Sequence, residues 1–322
     1  MTKSLILGIS GQDGSYLAQN LLENGHEVHG VIRRNSIPEH QESRINFHSS
    51  DIHTYYGDLL DSGSLLRLLT RIQPDHVYNL AAQSHVRISF DIPEYTAKTN
   101  AFGVLNLLEL LRMYFPEIKY YQASSSEMFG DSVDSDGYQR ETTPMTPVSP
   151  YGCAKLFAYH TVRNYRKSYR LFATNGILFN HESPRRASNF VTSKIVKSVV
   201  QIKLGLLSEL RLGNLDSYRD WGHSKDYVEA MRLMMHLQDP NDYVVATGET
   251  RSVRDLCKMA FALIDKNYED YVVIDKEYLR PEELPFLKGD SSKFRHATGW
   301  LPKISFENMI EEMMKDWTDR LA

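Results

Sequence analysis

Tyr151 and Lys155 stand four apart in "SPYGCAKLFAY", behind a proline that suits the first turn of a helix, so a phenol and an ammonium share one helix face. A cation near a phenol favours the phenolate and lowers its pKa, which turns a poor base into a usable one near neutral pH. A second group lies in "QASSSEMFG", where Ser125, Ser126 and Glu127 follow a strand-like run. Hydroxyls there can hold and polarise a reacting oxygen, and a carboxylate desolvated in a closed site can have its pKa raised toward neutrality. The third group is Gly8-Ile9-Ser10-Gly11-Gln12-Asp13-Gly14. Its glycines permit a tight turn, leave no Cβ between backbone and a pyrophosphate, and open a helix N-terminus toward the anion. Each group is commonplace alone: such a Tyr and Lys usually pack, glycines serve ordinary turns, and a glutamate opening a loop is usually solvated. Together they supply a redox site, which needs the tyrosine, the lysine and a hydroxyl, and they leave Glu127 over for the extra proton transfer that a β-elimination requires.

Positioning these groups requires a particular order of elements. "SLILGIS", "GSYLAQNLLENG" and "EVHGVIRR" read as strand, helix and strand, a βαβ unit. The alternation continues through "IHTYYGDL", "SGSLLRLLTRI", "HVYNLAA", a long helical segment from about Tyr95 to Tyr114, and the strand that leads to Ser125. This predicts an α/β fold: a Rossmann-like doubly wound parallel sheet, with ligands beyond the carboxyl ends of its strands. After about Phe179 the rhythm gives way to turn-rich pieces such as "NHESPRR" and "LRPEELP". The expected division is a cofactor domain over 1–180, to which a segment of roughly 212–248 returns, and a smaller, interleaved C-terminal substrate-binding domain mainly within 181–322. At the end of the second strand, where an NAD site would carry an acid for the ribose hydroxyls, the chain has Arg33 and Arg34. Guanidinium groups there suit a 2′-phosphate, so NADP is expected over NAD.

Composition narrows the partners. With 322 residues, 42% hydrophobic and 24% charged, the chain can bury a large core, and a net charge of -4 offers no basic footprint for nucleic acid or an anionic membrane. Apolar runs fall short of the ~20 residues of a spanning helix, and "MTKSLILGIS" lacks the pattern of a signal peptide, so a cytoplasmic protein is expected. Cys153 and Cys257 have no companions at metal-ligand spacing, and neither a disulfide framework nor a metal is expected.

The ordered set "GQDGSYLA", "YGDL", "VYNLAAQSHV", "QASSSEMFG", "SPYGCAKLFAY", "GILFNHESPRR", "LRLGNLDSYRDWG" and "LRPEE" resembles extended short-chain dehydrogenase/reductases that act on nucleotide sugars. Within them it is most similar to the GDP-mannose 4,6-dehydratase family. The resemblance implies a reaction that regenerates its own cofactor. The sugar's C4 loses hydride to NADP⁺ while Tyr151, helped by Lys155, takes the hydroxyl proton; Glu127 removes the C5 proton and assists loss of the C6 hydroxyl; hydride returns to C6. Ser125 and Ser126 would bond the C4 oxygen. By the same resemblance Gly8, Gly11, Gln12, Asp13, Gly14, Arg33, Arg34, Asp58, Leu59, Leu80, Ala81, Ala82, Gln83, Ser84, Tyr95, Tyr151, Lys155, His181 and Arg186 would meet the cofactor. Ser84, Ser126, Glu127, Asn180, Asn189, Lys194, Arg219, Arg280 and Glu283 would meet the GDP-sugar, and the protein would be a homodimer or homotetramer.

The chain departs from the family pattern in several places. Ser125 stands for threonine, Leu7 for the threonine before the first glycine, Ser193 for arginine and Tyr218 for lysine, and "NSIPEHQES" replaces a serine-rich stretch that takes part in tetramer contacts. Such changes admit the same reaction on GDP-D-glycero-manno-heptose. An NADP-linked reductase or 4-epimerase, and a non-catalytic nucleotide-binding protein, are the further alternatives.

Overall fold

The computed structural model describes residues 1–34, 44–45, 50–279 and 281–322. Arg280 and the whole "NSIPEHQES" stretch therefore lie outside the described residues. The strands are β1 (Lys3–Leu7), β2 (Glu27–Ile32), β3 (Ile52–Tyr56), β4 (His76–Asn79), β5 (Lys119–Ser125), β6 (Ala173–Leu178), β7 (Asn180–Glu182), β8 (Leu210–Leu212), β9 (Tyr218–Arg219), β10 (Trp221–His223), β11 (Asp242–Val245), β12 (Arg251–Ser252) and β13 (Val272–Ile274). The helices are α1 (Gln12–Glu23), α2 (Ser62–Ile72), α3 (Val86–Asp91), α4 (Pro93–Ala97), α5 (Gly103–Tyr114), α6 (Pro150–Tyr169), α7 (Val191–Lys203), α8 (Ser224–His236), α9 (Val253–Ala262), α10 (Ser292–Thr298) and α11 (Phe306–Leu321).

Seven strands form one parallel sheet in the order β11-β6-β5-β4-β1-β2-β3. Alternate residues of each strand face opposite layers. Ile6, Val28, Ile32, Tyr78 and Tyr121 pack with α1 and α8 on one side. Leu5, Leu7, Val31, Val77 and Tyr120 pack with α2, α5 and α6 on the other. Burial on both faces explains why these strands read as continuous apolar runs. A third core joins α7, α9 and α11 to β8 through Val196, Leu256, Phe261 and Met313. Three small pairs, β7 with β10, β8 with β13 and β9 with β12, lie outside the large sheet.

One expectation needs correction. The helical run from Tyr95 to Tyr114 is not uniform: α4 passes into a π-helical turn over Lys98–Phe102 before α5 begins at Gly103. The widened turn places Asn100 so that its side chain accepts from the Gln83 amide and donates to the Gln83 carbonyl, both at 2.8 Å. A regular helix would carry that side chain elsewhere, and such π-turns gather at functional sites.

Candidate active site

The glycine loop is shaped by contact as much as by turn. Gly8 has φ +83°, and a Cβ on it would lie 3.0 Å from the Ala81 nitrogen, so the first loop and the segment Leu80–Ser84 meet backbone to backbone. At Gly14 a Cβ would fall 2.3 Å from the Gly8 carbonyl oxygen and 2.6 Å from the Ile9 Cα, so only glycine lets α1 start this close to β1. Gly11 differs: its Cβ would have only the Gly8 oxygen near it, at 3.2 Å, and it opens α1 with no side-chain cap. The first-turn amides are therefore left for an anion.

The side chains of Gln12 and Asp13 turn inward. Gln12 donates to the His181 carbonyl at 3.1 Å and accepts from Ser183 Oγ at 2.8 Å. Asp13 Oδ2 lies 2.8 Å from His181 Nε2, while His181 Nδ1 lies 2.7 Å from the Phe179 carbonyl oxygen. Both ring nitrogens face acceptors, which is the arrangement of an imidazolium. Burial opposes that charge, but the Asp13 carboxylate outweighs it and the His181 pKa is raised. Burial likewise works against the Asp13 carboxylate, and the His181 charge leads the effects that hold its pKa below the usual value. This pair ties the loop to the β6–β7 junction.

Other cofactor candidates ring the same strand ends. Arg33 and Arg34 follow β2 directly, and the Arg33 guanidinium donates to the Tyr95 hydroxyl. Asp58 follows β3 and its carboxylate accepts from the Leu60 amide at 2.9 Å, while Leu59 is buried under Gly103. Arg186 pairs with the buried Glu182 at 2.9 Å. Gln83 Oε1, beyond β4, and Asn180 Oδ1, beyond β6, are buried acceptors with no partner among the described residues. Such atoms cost free energy unless something donates to them. The uncapped helix and these two acceptors fit a dinucleotide laid across the strand ends.

Pro150 opens α6, as the sequence predicts, and Ser149 before it caps the helix by accepting from the Gly152 amide at 3.0 Å. Tyr151 and Lys155 point inward from the first turns, 9% and 5% exposed. The Lys155 ammonium donates to the Ala123 carbonyl at 2.8 Å and lies 5.7 Å from the Tyr151 ring centre. Ser125 ends β5; its Oγ accepts from the Glu127 amide at 3.2 Å, and its hydroxyl is among the groups that act to lower the Tyr151 pKa. Glu127 sits in a 3₁₀ turn over Ser126–Met128 and is 8% exposed, as Ser126 is 3% exposed. A Cβ on Gly152 would fall 2.8 Å from the Glu127 carbonyl oxygen. The glycine between the tyrosine and the lysine thus lets α6 rest on the peptide that carries the carboxylate.

The expected lowering of the Tyr151 pKa is not what the protein alone produces. Burial pushes the phenol up to about 12, against the opposing effect of the Ser125 hydroxyl. Lys155 gives it no relief because the ammonium is itself desolvated, held on a carbonyl, and lowered to about 8. The positive charge that a base needs must come partly from what binds there.

The proposed sugar-nucleotide residues lie on a separate wall. Arg219, 5% exposed, donates to the Tyr218 and Leu284 carbonyls, each at 2.8 Å, and to Glu283 Oε1 at 3.0 Å. Lys194 donates to the Arg211 carbonyl at 2.7 Å and lies 3.3 Å from the Tyr278 ring centre. Asn189 meets His85 across the cleft, its carbonyl 3.4 Å from Nε2. Glu283 also lines a cavity of about 360 Å³ with Asn214, Asp216, Arg254, Ile274 and Leu279. Ser193 is buried and donates to the Arg186 carbonyl, so this departure lies beneath the cleft, whereas Tyr218 is exposed beside Phe286. Sequence reasoning passed over Asn100, Ser89, whose Oγ accepts from the Tyr151 amide at 3.2 Å, and Asp220. Spacing carried no signal for them, because their partners are distant in the chain.

A parallel sheet with a glycine loop at β1 and an inward Tyr and Lys on α6 defines the class of extended short-chain dehydrogenase/reductases. The GDP-mannose 4,6 dehydratase family profile matches residues 5–313. The chain is 50% identical to GDP-mannose 4,6 dehydratase 1 of Arabidopsis thaliana, over 97% of this chain and 89% of that one. It is 46% identical to the human GDP-mannose 4,6 dehydratase, over 97% and 90%. In structure it is similar to UDP-glucose 4-epimerase of Thermus thermophilus in complex with NAD, with a TM-score of 0.85 at 25% identity and coverage of 98% and 99%. The chain belongs to the GDP-mannose 4,6 dehydratase family.

Proposed function

We infer that this chain converts GDP-mannose to GDP-4-keto-6-deoxymannose, using a nicotinamide cofactor that we propose to be NADP. The observation that carries the reading is Glu127, a buried carboxylate whose amide is held by Ser125 Oγ and whose own carbonyl lies against Gly152 on the helix of Tyr151 and Lys155. A reductase or 4-epimerase has no task for it. Residues Gly8 to Gly14, Leu80 to Ser84, Asn180 and Arg186 would hold the cofactor, with Arg33, Arg34 and Tyr95 at its 2′-phosphate. When bound, it supplies two-electron oxidation at C4 and reduction at C6, so one turnover leaves it unchanged.

The chain's own groups move the protons. Tyr151 accepts the proton of the C4 hydroxyl while Ser125 and Ser126 hold that oxygen. Lys155, held on the Ala123 carbonyl with its ammonium 5.7 Å from the ring centre, favours the phenolate only while it is charged. A ketone at C4 acidifies the C5 hydrogen, which Glu127 takes before protonating the departing C6 hydroxyl. Arg219, Glu283, Asn189 and Lys194 support the GDP portion from the facing wall. The test is a mass-spectrometric product assay with GDP-mannose and catalytic NADP⁺, run beside GDP-D-glycero-manno-heptose. Loss of one water without net cofactor reduction is expected with GDP-mannose. An unchanged sugar, or net NADPH consumption, rejects the reading.

The domain division belongs to the same proposal: 1–180 with roughly 212–248 for the cofactor, the remainder of 181–322 for the GDP-sugar. It is supported by β11 closing the edge of the large sheet and by the separate core of α7, α9 and α11. A cytoplasmic homodimer or homotetramer completes it. The outer face of the π-turn and α6 carries Phe102 and Phe157, 53% and 43% exposed, beside an apolar groove of about 590 Å³ lined by Leu105, Pro147 and Leu156. A second copy of that face would cover it. Phe157→Glu should give a monomer in sedimentation.

A further inference from the structure

Asp220 is wholly buried, and nothing in the reaction above uses it. Its Oδ1 accepts from the Thr247 amide at 2.9 Å and the Thr247 hydroxyl at 2.6 Å. Its Oδ2 accepts from the Gly248 amide at 2.9 Å and the Gly289 amide at 3.3 Å. A carboxylate cut off from water is costly unless donors replace the water, and here backbone amides and a hydroxyl do so. The donors come from two places: the turn that leaves the large sheet after β11, and the segment 283–290. Gly289 fits there only without a side chain, since a Cβ would lie 2.3 Å from that of Ala246.

The neighbouring residue works on the same segment from the other side. Arg219 holds Glu283 and the Leu284 carbonyl. The Tyr218 amide donates to the Pro285 carbonyl at 2.8 Å, and the Leu287 amide donates to the Tyr218 carbonyl at 3.2 Å. Farther along, Gln139 from the loop after Glu127 bonds Lys288 and Asp290. The wall that carries Glu283 is thus fastened to the sheet end at Asp220 and to the loop of the catalytic carboxylate at Gln139.

We propose that Asp220 is a positioning residue for the sugar nucleotide: its carboxylate docks segment 283–290 on the β11 turn and so sets where Arg219 and Glu283 stand. This rests on the reading of the cleft as a GDP-sugar site. The consequence is an effect on substrate affinity that stability alone would not produce. Burial raises the Asp220 pKa to about 6, against the bonds from Thr247, Gly248 and Gly289. As pH falls through that value one oxygen becomes a donor facing backbone N–H groups, and the dock loosens. The charged or titratable groups around it are Arg219, turned to Glu283, the buried Tyr227 phenol of α8, whose pKa burial drives far up, Glu249 beyond Gly248, and Lys288 and Asp290 beside Gly289.

The experiment uses the full-length protein loaded with cofactor. GDP affinity is measured by calorimetry, and kcat and KM for GDP-mannose from about pH 5 to about pH 7. Asp220→Asn sets an amide donor against the Gly248 and Gly289 amides. It should raise the GDP Kd and the KM about tenfold, with kcat within about threefold of the parent. The parent's KM should climb as pH drops through about 6, and that climb should vanish in the variant. Should Asp220→Asn not fold, Thr247→Val removes the hydroxyl that donates to Asp220 and accepts from the Glu249 amide; it should raise KM about threefold and move the inflection to higher pH. Unchanged KM in the folded variants, a loss confined to kcat, or a pH climb that persists in Asp220→Asn overturns the inference alone. A parent protein that binds neither GDP nor GDP-mannose overturns the functional reading with it.

Discussion

The loop that opens α1 and the wall through Arg219, Asp220 and Glu283 present a ligand with different materials. At the loop, main chain does the work: Gly8 and Gly14 let backbone touch backbone, and Gly11 leaves amides uncapped. At the wall, side chains do it, and they are already paired with one another, with a carbonyl or with backbone amides. Backbone presentation tolerates almost no added atom, because a displaced peptide moves everything after it. A paired side-chain wall tolerates change by degrees, because each bond contributes ~1 to 3 kcal/mol and its neighbours remain. Glu127 stands apart from both, a buried carboxylate in the turn that follows β5.

The largest effect should come from that carboxylate. Glu127→Gln should lower the rate of water loss by ~10²- to 10⁴-fold while cofactor binding, read by protein fluorescence quenching, stays as in the parent. Equal loss of cofactor binding would place Glu127 with the loop instead. Next, Gly14→Ala forces a Cβ to 2.3 Å from the Gly8 oxygen, and should cost ~1 to 3 kcal/mol of stability in urea with cofactor affinity falling in parallel. Retained affinity in a destabilised protein would separate the loop's two jobs.

Lys155→Met tests a smaller, less intuitive effect. Folded Lys155 titrates near 8 instead of 10.5 because burial disfavours its charge. Between those values the unfolded chain binds more protons, so the parent's stability rises with pH across that window. The variant should lack the rise, be ~1 to 3 kcal/mol more stable at neutral pH, and be inactive. Urea melts at several pH values decide it. Smallest of all, Glu283→Gln should raise KM by ~2- to 5-fold without touching cofactor affinity. Arg33→Ser should do the reverse, reducing preference for NADP over NAD by ~10-fold in a binding assay.

Much of the first region could be read in the chain. Apolar runs marked β1, β2, β4 and β5, Pro150 marked the start of α6, and the four-residue step placed Tyr151 and Lys155 on one face. The wall was less legible. Arg219 reads as a cation available to a diphosphate, yet its guanidinium is buried and held by Leu284 and Glu283, more than sixty residues away in the chain. Asp220 looks like one more surface charge beside an aromatic residue until Thr247, Gly248 and Gly289 are brought to it.

By itself the amino-acid order determined the sheet, the glycine turn and the residue types at the reacting centre, because local periodicity and turn chemistry act over a few residues. Only the tertiary structure decided their state. It decided that burial drives Tyr151 up to about 12 and Lys155 down to about 8, that Gly152 seats α6 on the Glu127 peptide, that a π-turn brings Asn100 to Gln83, and that Asp220 docks the substrate wall. Desolvation and long-range hydrogen bonding depend on which distant segments close over a group, and no spacing within one segment records that.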